Sequence, residues 1–170
     1  MNNLYYFFDT CSLLLQGNHL FDVKDYNVVI SSITLQELED IKTSTRKDPE
    51  IKFAARQLLR SLDEHVGEYE VHMFTNTMLN PLIEKDFDIT NDMKILATAI
   101  NYDLYVHPDE VIFVTNDLAL KNIANLFFGE DSIISVDENE IDTYKGYTDV
   151  SLCDEGLSDF YSNINYNYFD

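Results

Sequence analysis

Cysteines and basic residues are scarce in this sequence of 170 residues, and long apolar runs are missing from it. Its two cysteines, Cys11 and Cys153, are too few and too far apart along the chain for a zinc site. No apolar run reaches the ~18 residues that a membrane-spanning helix needs. The first residues also lack the basic segment and the cleavage site of a signal peptide. We therefore expect a cytoplasmic protein without a membrane anchor.

The shortage of basic residues leaves 11 Lys and Arg against 31 Asp and Glu, a net charge of -20. Such a charge argues against nucleic-acid affinity that depends on bulk attraction. The acidity is uneven, because residues 130–170 hold 11 of the acids and a single base, Lys145. We predict a domain of residues 1–136, followed by an acidic, Tyr- and Asn-rich extension or linker of residues 137–170. The extension is suited to a basic protein partner.

Short apolar segments alternate with amphipathic segments along the first 136 residues. The pattern predicts an α/β domain with a mainly parallel sheet. Strands are expected over residues 4–8, 28–30, 70–74, 111–114 and 132–136, and helices over residues 11–16, 34–42, 50–65 and 118–126, with a further helix opened by residues 90–92.

Four acidic residues occupy comparable places in this pattern. Asp9 follows the first strand, Asp117 follows the strand of residues 111–114, and Asp92 opens a helix. Glu37 lies one turn into the helix after the second strand. Each alone has a plain explanation as a helix cap, a first-turn acid or a solvated residue. Together they are expected at the carboxyl edge of the sheet, where their repulsion calls for a cation such as Mg²⁺ or Mn²⁺.

The segments around these acids resemble the four motifs of PIN domains. They are Phe-Asp-Thr at residues 8–10, Ile-Thr-Leu-Gln-Glu-Leu-Glu-Asp-Ile-Lys at 33–42, Asn-Asp-Met-Lys-Ile-Leu at 91–96 and Val-Thr-Asn-Asp at 114–117. Any one motif is weakly specific, whereas four in register are more so. The resemblance implies a three-layer α/β/α fold around a mainly parallel twisted sheet.

Further segments resemble the N-terminal PIN domain of PhoH-like proteins, in which a P-loop ATPase usually follows. They are residues 55–56, 91–96, 114–121 and 142–145. The sequence contains no P-loop motif, so the resemblance leaves open an ATPase domain acting in cis. Cys11 and Ser12 depart from the usual family pattern. We expect this change to be harmless, because neither position should bind metal.

The resemblance implies a metal-dependent endoribonuclease that cleaves single-stranded RNA and leaves a 5′-phosphate and a 3′-hydroxyl. Asp9, Glu37, Asp92 and Asp117 would hold one or two Mg²⁺ or Mn²⁺ ions and activate water. Thr115 would orient Asp117 or a water. Asn91 and Asn116 are candidates for a supporting or substrate contact, with turn and cap roles as the alternative.

Basic residues are concentrated in one stretch, since residues 42–60 hold six of the 11. Lys52, Arg56 and Arg60 recur every four residues and so line one helical face. This face is either a phosphate-contacting ridge or a solvated face paired with nearby acids. Lys94 and Lys121 are further candidates for substrate contacts.

Three rival functions were weighed against the nuclease. A haloacid-dehalogenase-like phosphohydrolase needs a second Asp where Cys11 stands, and a receiver domain needs a Lys after a late strand. A degenerate PIN fold that only binds RNA or another protein is the strongest rival, and the presence of all four acids argues against it. The sequence leaves the oligomeric state, including a homo-oligomer, open.

Overall fold

The centre of the fold is a sheet of five short strands in the computed structural model, which describes residues 3–22 and 26–136. All neighbouring strands are parallel, and the order is β3-β2-β1-β4-β5. Phe8 of β1 pairs with both Ile30 of β2 and Val114 of β4. The strand order therefore changes direction at β1, where parallel sheets open a crevice at their carboxyl edge. The strands are β1 (Tyr5–Phe8), β2 (Asn27–Ser31), β3 (Tyr69–His72), β4 (Val111–Val114) and β5 (Ile133–Ile134).

Helices cover both faces of this sheet. Phe8, Ile30 and Val114 pack with the first three helices, whereas Phe7 and Phe113 point to the other face and pack with the later ones. This confirms the predicted α/β/α fold, and the sheet is wholly parallel. The helices are α1 (Thr10–Gln16), α2 (Ser32–Thr43), α3 (Pro49–Glu64), α4 (Asn80–Ile83), α5 (Asn91–Tyr105) and α6 (Leu118–Ala124).

Polar side chains cap three of the six helices close to the ends of strands. The Asp9 carboxylate caps α1, and the Asp117 carboxylate caps α6. The Ser31 hydroxyl caps α2 by accepting the Ile33 N–H at 3.1 Å. A side-chain oxygen satisfies N–H groups that a helix start otherwise leaves unpaired. The caps therefore bring the starts of α1, α2 and α6 to the carboxyl edge of the sheet.

Thr90 caps α5 and Asp92 lies in its first turn, which agrees with the helix start expected over residues 90–92. The structure differs from the sequence-based expectation in a few places. A 3-10 turn (Asn76–Leu79) and the short α4 were not predicted, because one helical turn shows no readable periodicity. The strand expected over residues 132–136 spans two residues only. No helix within the described ranges is long and apolar enough to cross a membrane.

The predicted acidic extension, residues 137–170, lies outside the described residues, as does the segment 142–145. The proposed domain boundary near residue 136 therefore stays a prediction.

Candidate acidic active site

The ends of β1 and β4 bring Asp9 and Asp117 to one edge. The Asp9 backbone N–H donates to the Val114 carbonyl at 3.1 Å, which continues the strand pairing by one residue. Thr115 joins the two acids: its hydroxyl donates to Asp9 Oδ2 at 2.5 Å and accepts the Asp117 backbone N–H at 3.1 Å. Thr115 was predicted to orient Asp117 or a water. In the structure its hydroxyl orients the carboxylate of Asp9.

A cradle of polar hydrogens surrounds the Asp9 carboxylate, which is 0% exposed. The Ser12 backbone N–H and hydroxyl lie 2.8 and 2.6 Å from Oδ1, and the same hydroxyl lies 2.8 Å from the Val114 carbonyl oxygen. Burial raises the pKa of Asp9 to about 6, the bonds from Ser12 and Thr115 oppose this rise, and the charge of Asp117 adds to it. Asp9 is therefore both tightly oriented and easily protonated.

Glu37 reaches the same edge from α2 and is 2% exposed. The Thr10 hydroxyl donates to Oε1 at 2.7 Å and lies 3.2 Å from the Thr34 hydroxyl. Glu37 Oε2 is buried and has no hydrogen-bond partner in the part of the chain that the structure describes. Burying a carboxylate oxygen without a partner costs free energy, so this atom points to a missing ligand or a proton.

The pKa of Glu37 reports its surroundings. Burial is the largest cause and raises the pKa of Glu37 to about 8. The charges of Asp92 and Asp9 raise this pKa further, whereas the hydrogen bonds from the side chains of Thr10 and Asn91 lower it. The four acids thus influence one another in sequence, from Asp117 to Asp9 to Glu37 to Asp92. All four are at most 6% exposed.

The donor set fits a hard divalent cation. Four carboxylates at a buried edge are the ligands that Mg²⁺ and Mn²⁺ prefer, and Glu37 Oε2 is a buried acceptor in need of a partner. Within residues 3–22 and 26–136, however, no three or more acidic, His or Cys side chains stand ready to hold an ion. Asp9 uses both oxygens in bonds to hydroxyls, and Asp117 Oδ1 accepts two backbone N–H groups of α6. Gathering the donors around an ion therefore requires these side chains to turn.

The two predicted asparagines differ in place. The Asn91 side chain lies near Glu37, whose pKa it lowers. The Asn116 amide is occupied by the backbone of Val136, donating to its carbonyl at 3.0 Å and accepting its N–H at 2.8 Å. Asn116 therefore ties the β4–α6 turn to the segment after β5, which is the turn role weighed as the alternative.

The predicted basic residues lie on three helices. Arg56 and Arg60 are exposed on α3, and Lys52 is half-buried in its first turn. Among the described residues, the ion pairs involve other side chains, and both interpretations of this face stay predictions. Lys94 Nζ lies 5.9 Å from the centre of the Phe74 ring, and Lys121 is half-buried on α6.

Several polar residues of the site were not predicted from the sequence. Ser12, a departure from the family pattern that was expected to be harmless, donates a hydrogen bond to the Asp9 carboxylate. The hydroxyls of Thr10 and Thr34 lie next to each other, and that of Thr10 donates to Glu37. A hydroxyl three residues after a capping Asp is the signal that could have identified Ser12. Lys47, in the loop before α3, was also missed; the charge of Glu37 raises its pKa against the larger lowering by burial.

The chain is similar to several known proteins. Protein PhoH2 of Bacillus subtilis is 28% identical over 92% of this chain, and the chain spans 39% of the length of that relative. Two solved structures are similar with a TM-score of 0.48. VapBC2 from Rickettsia felis bound to a promoter DNA fragment has 21% identity, with 79% of this chain and 100% of that chain covered. A domain of functionally unknown protein from Methanocaldococcus jannaschii has 18% identity, with 78% and 89% covered.

The family itself is shown by a match to more than half of the chain. The model of the PIN domain matches residues 6–127, a span that holds all four acids, the strands β2, β3 and β4, and β1 from its second residue. The chain therefore belongs to the PIN-domain family.

Proposed function

We propose that this chain is a divalent-metal-dependent endoribonuclease that hydrolyses single-stranded RNA. The observation that carries the proposal is the buried, partnerless Oε2 of Glu37 within a row of four interacting carboxylates. An arrangement of this kind is costly for the fold and is expected where a cation neutralises it. Membership of the PIN-domain family supports the same chemistry.

Some residues of the site would bind the metal ion, and others would orient those ligands. Asp9, Glu37, Asp92 and Asp117 would hold Mg²⁺ or Mn²⁺. The ion supplies an acidified water and neutralises charge that develops on the phosphate. Ser12 and Thr115 fix the Asp9 carboxylate, and Thr10 fixes Glu37 Oε1. Once the side chains have turned towards the ion, hydrogen bonds of this kind would limit further reorganisation as charge develops.

Substrate binding by such an acidic chain needs a local basic surface, and α3 offers one. Lys52, Arg56 and Arg60 rise about 6 Å from one to the next, as residues four apart on a helix do. The helix packs on α2 through buried Ile51 and Leu58, so it shares the face of the sheet from which Glu37 comes. We propose that these three residues contact RNA phosphates, with Lys94 and Lys121 on α5 and α6 as further contacts.

The chain's relation to PhoH2 favours a second role for the same domain. We propose that it acts as the nuclease half of a PIN–ATPase protein, since PhoH2 matches over 92% of this chain and is much longer. A P-loop ATPase in cis would then deliver RNA. We also propose a basic protein partner at the acidic residues 137–170 and, separately, a homo-oligomer. The localisation proposed is cytoplasmic.

The decisive experiment measures cleavage of a labelled, unstructured RNA by the purified chain in Mg²⁺, Mn²⁺ or EDTA. We expect cleavage with either metal and none in EDTA, with products that carry a 5′-phosphate. Asp9→Asn and Asp117→Asn should reduce the rate to background, whereas Asp63→Asn, the same change at an exposed position on α3, should not. Equal activity in EDTA, or in the Asp9 variant, would contradict the proposal.

A further inference from the structure

Phe53 is the only phenylalanine in the described ranges whose side chain is exposed, with 54% of its surface open to solvent. It lies in the second turn of α3, whose buried side chains, among them Ile51 and Ala54, face the core. Phe53 is packed into neither of the two core clusters that the described residues form. The solvent side of α3 therefore carries one aromatic ring that the core does not cover.

Two arginines share this side of α3 with Phe53. Arg56 and Arg60 are exposed and follow it at three and seven residues, so the three side chains lie along one helical face. The rise of a helix places them about 4.5 and about 10.5 Å beyond Phe53 along its axis. No ion pair in the described part of the chain involves either arginine. From Phe53 to Arg60 the helix carries two positive charges and no negative one, and the exposed acids of α3 lie outside this stretch.

An exposed ring beside positive charges suits one class of ligand. A stable protein partner buries about 800 Å² on each side, whereas a half-exposed phenylalanine offers on the order of 100 Å². Such an area matches the flat face of a single nucleobase. Proteins that bind single-stranded nucleic acid combine basic side chains for the phosphates with aromatic rings on which the bases stack. Arg56 and Arg60 supply the charge that complements phosphates, and Phe53 supplies the ring.

We propose that Phe53, Arg56 and Arg60 form a subsite for one unpaired nucleotide of RNA. The base stacks on the Phe53 ring, and neighbouring phosphates contact the two arginines. The inference rests on the proposed function for RNA as the ligand, and it adds the base contact that selects single strands. Bases in a duplex stack on each other, so their faces are closed to a side chain. The competing role for Phe53 is that of a surface residue without a ligand.

The variant Phe53→Trp makes the proposed stack visible, because the sequence contains no other tryptophan. Its emission should be quenched as a short single-stranded RNA is added in saturating Mg²⁺, since a stacked base quenches an indole ring. An RNA of the same length without bases, and a duplex RNA, should leave the emission unchanged. Tyr105→Trp is the matched control, because Tyr105 is 76% exposed at the end of α5, which packs on the other face of the sheet. All variants carry Asp117→Asn, so that the RNA stays intact.

Fluorescence anisotropy of a labelled single-stranded RNA measures how much the ring contributes to affinity. We expect Phe53→Ala to weaken binding about 10-fold, a loss typical of one stacked base. Phe53→Leu, which keeps an apolar side chain but no ring, should lose as much, and Phe53→Tyr should bind like the parent chain. The slope of log affinity against log salt should stay the same in these variants, because they lose no phosphate contact. Arg56→Ala should lower that slope by about 0.7, the value for one phosphate contact on a single strand.

The RNA affinity of the Phe53 variants separates this subsite from the nuclease assignment. Full affinity of Phe53→Ala or of Phe53→Leu would overturn the subsite, as would equal quenching by RNA with and without bases. An absence of RNA binding by the parent chain would also overturn it. If the chain that retains Asp117 cleaves RNA while Phe53→Ala binds like the parent, the subsite fails and the nuclease assignment stands. If that chain binds RNA without cleaving it, and Phe53→Ala weakens binding, the subsite stands and the nuclease assignment fails.

Discussion

The buried carboxylate of Glu37 should make the metal-free protein less stable as the pH rises. Its folded-state pKa of about 8 lies above the ordinary value of 4.5, so between these values the folded protein keeps a proton that the unfolded chain releases. The contribution of Glu37 to the free energy of unfolding is therefore fully present below its pKa in the unfolded chain. This contribution is lost as the pH rises through its pKa in the folded protein. From pH 6 to pH 8 the free energy of unfolding should fall by about 2 kcal/mol through Glu37 alone.

The variant Glu37→Gln isolates this contribution, because an amide cannot titrate and its oxygen can still accept from Thr10. In EDTA, the stability gained by Glu37→Gln over the parent chain should grow by about 2 kcal/mol from pH 6 to pH 8. For a domain of this size that is a shift in Tm of about 4–8 °C. Glu39→Gln, the same change on the exposed side of α2, should show no such trend.

Thermal unfolding followed by circular dichroism at several pH values measures this directly. Millimolar Mg²⁺ should remove most of the trend in the parent chain, because an ion that binds only the folded state replaces the proton. Parallel stability profiles for the parent chain and Glu37→Gln would refute the reasoning, since they would mean that Glu37 is solvated in the folded protein.

Three further predictions follow from the hydrogen bonds and charges of the site. Ser12→Ala should reduce RNA cleavage about 10-fold or more at saturating metal, because the Asp9 carboxylate loses a hydroxyl that orients it. The circular dichroism spectrum should stay unchanged. Full activity would show that Thr115 alone is enough to orient Asp9. Thr98→Val should lower the free energy of unfolding by about 1 kcal/mol in urea titrations, because the Ser31 hydroxyl loses its buried partner at 3.1 Å; an unchanged midpoint would contradict this. Arg56→Ala should raise KM for RNA and leave kcat unchanged, and steady-state kinetics that show a lower kcat instead would place Arg56 at the chemistry rather than on the binding ridge.

The fold could be predicted from the sequence because its signals are local. Apolar strands of four or five residues, each followed by a capping Asp or Ser, mark the places where the chain turns back from the sheet. The same local signals put Asp9 and Asp117 at one edge once the sheet is parallel. The short α4 escaped because a single turn carries no period, and the strand expected over residues 132–136 is shortened to the two residues of β5.

The finer parts of the site could not be predicted because they depend on contacts between distant residues. The Thr10–Glu37 bond and the Ser31–Thr98 bond join positions 27 and 67 residues apart. Asn116 looked like a member of the site from its place beside Asp117, yet its amide is occupied by Val136.

The central place of β1 makes the site depend on both halves of the chain. Asp9 is oriented by Thr115, which lies 106 residues further along, and Ser12 reaches the Val114 carbonyl across 102 residues. A chain that has been synthesised only as far as α5 therefore holds three of the four acids. It lacks Asp117, and it also lacks Thr115, which orients Asp9. The domain is consequently suited to splitting at the exposed turn after α5. Under the proposed function, neither piece would cleave RNA alone, and reassociation of β4 with β1 would restore the activity. Such a split enzyme would report the meeting of two fused proteins through the appearance of nuclease activity.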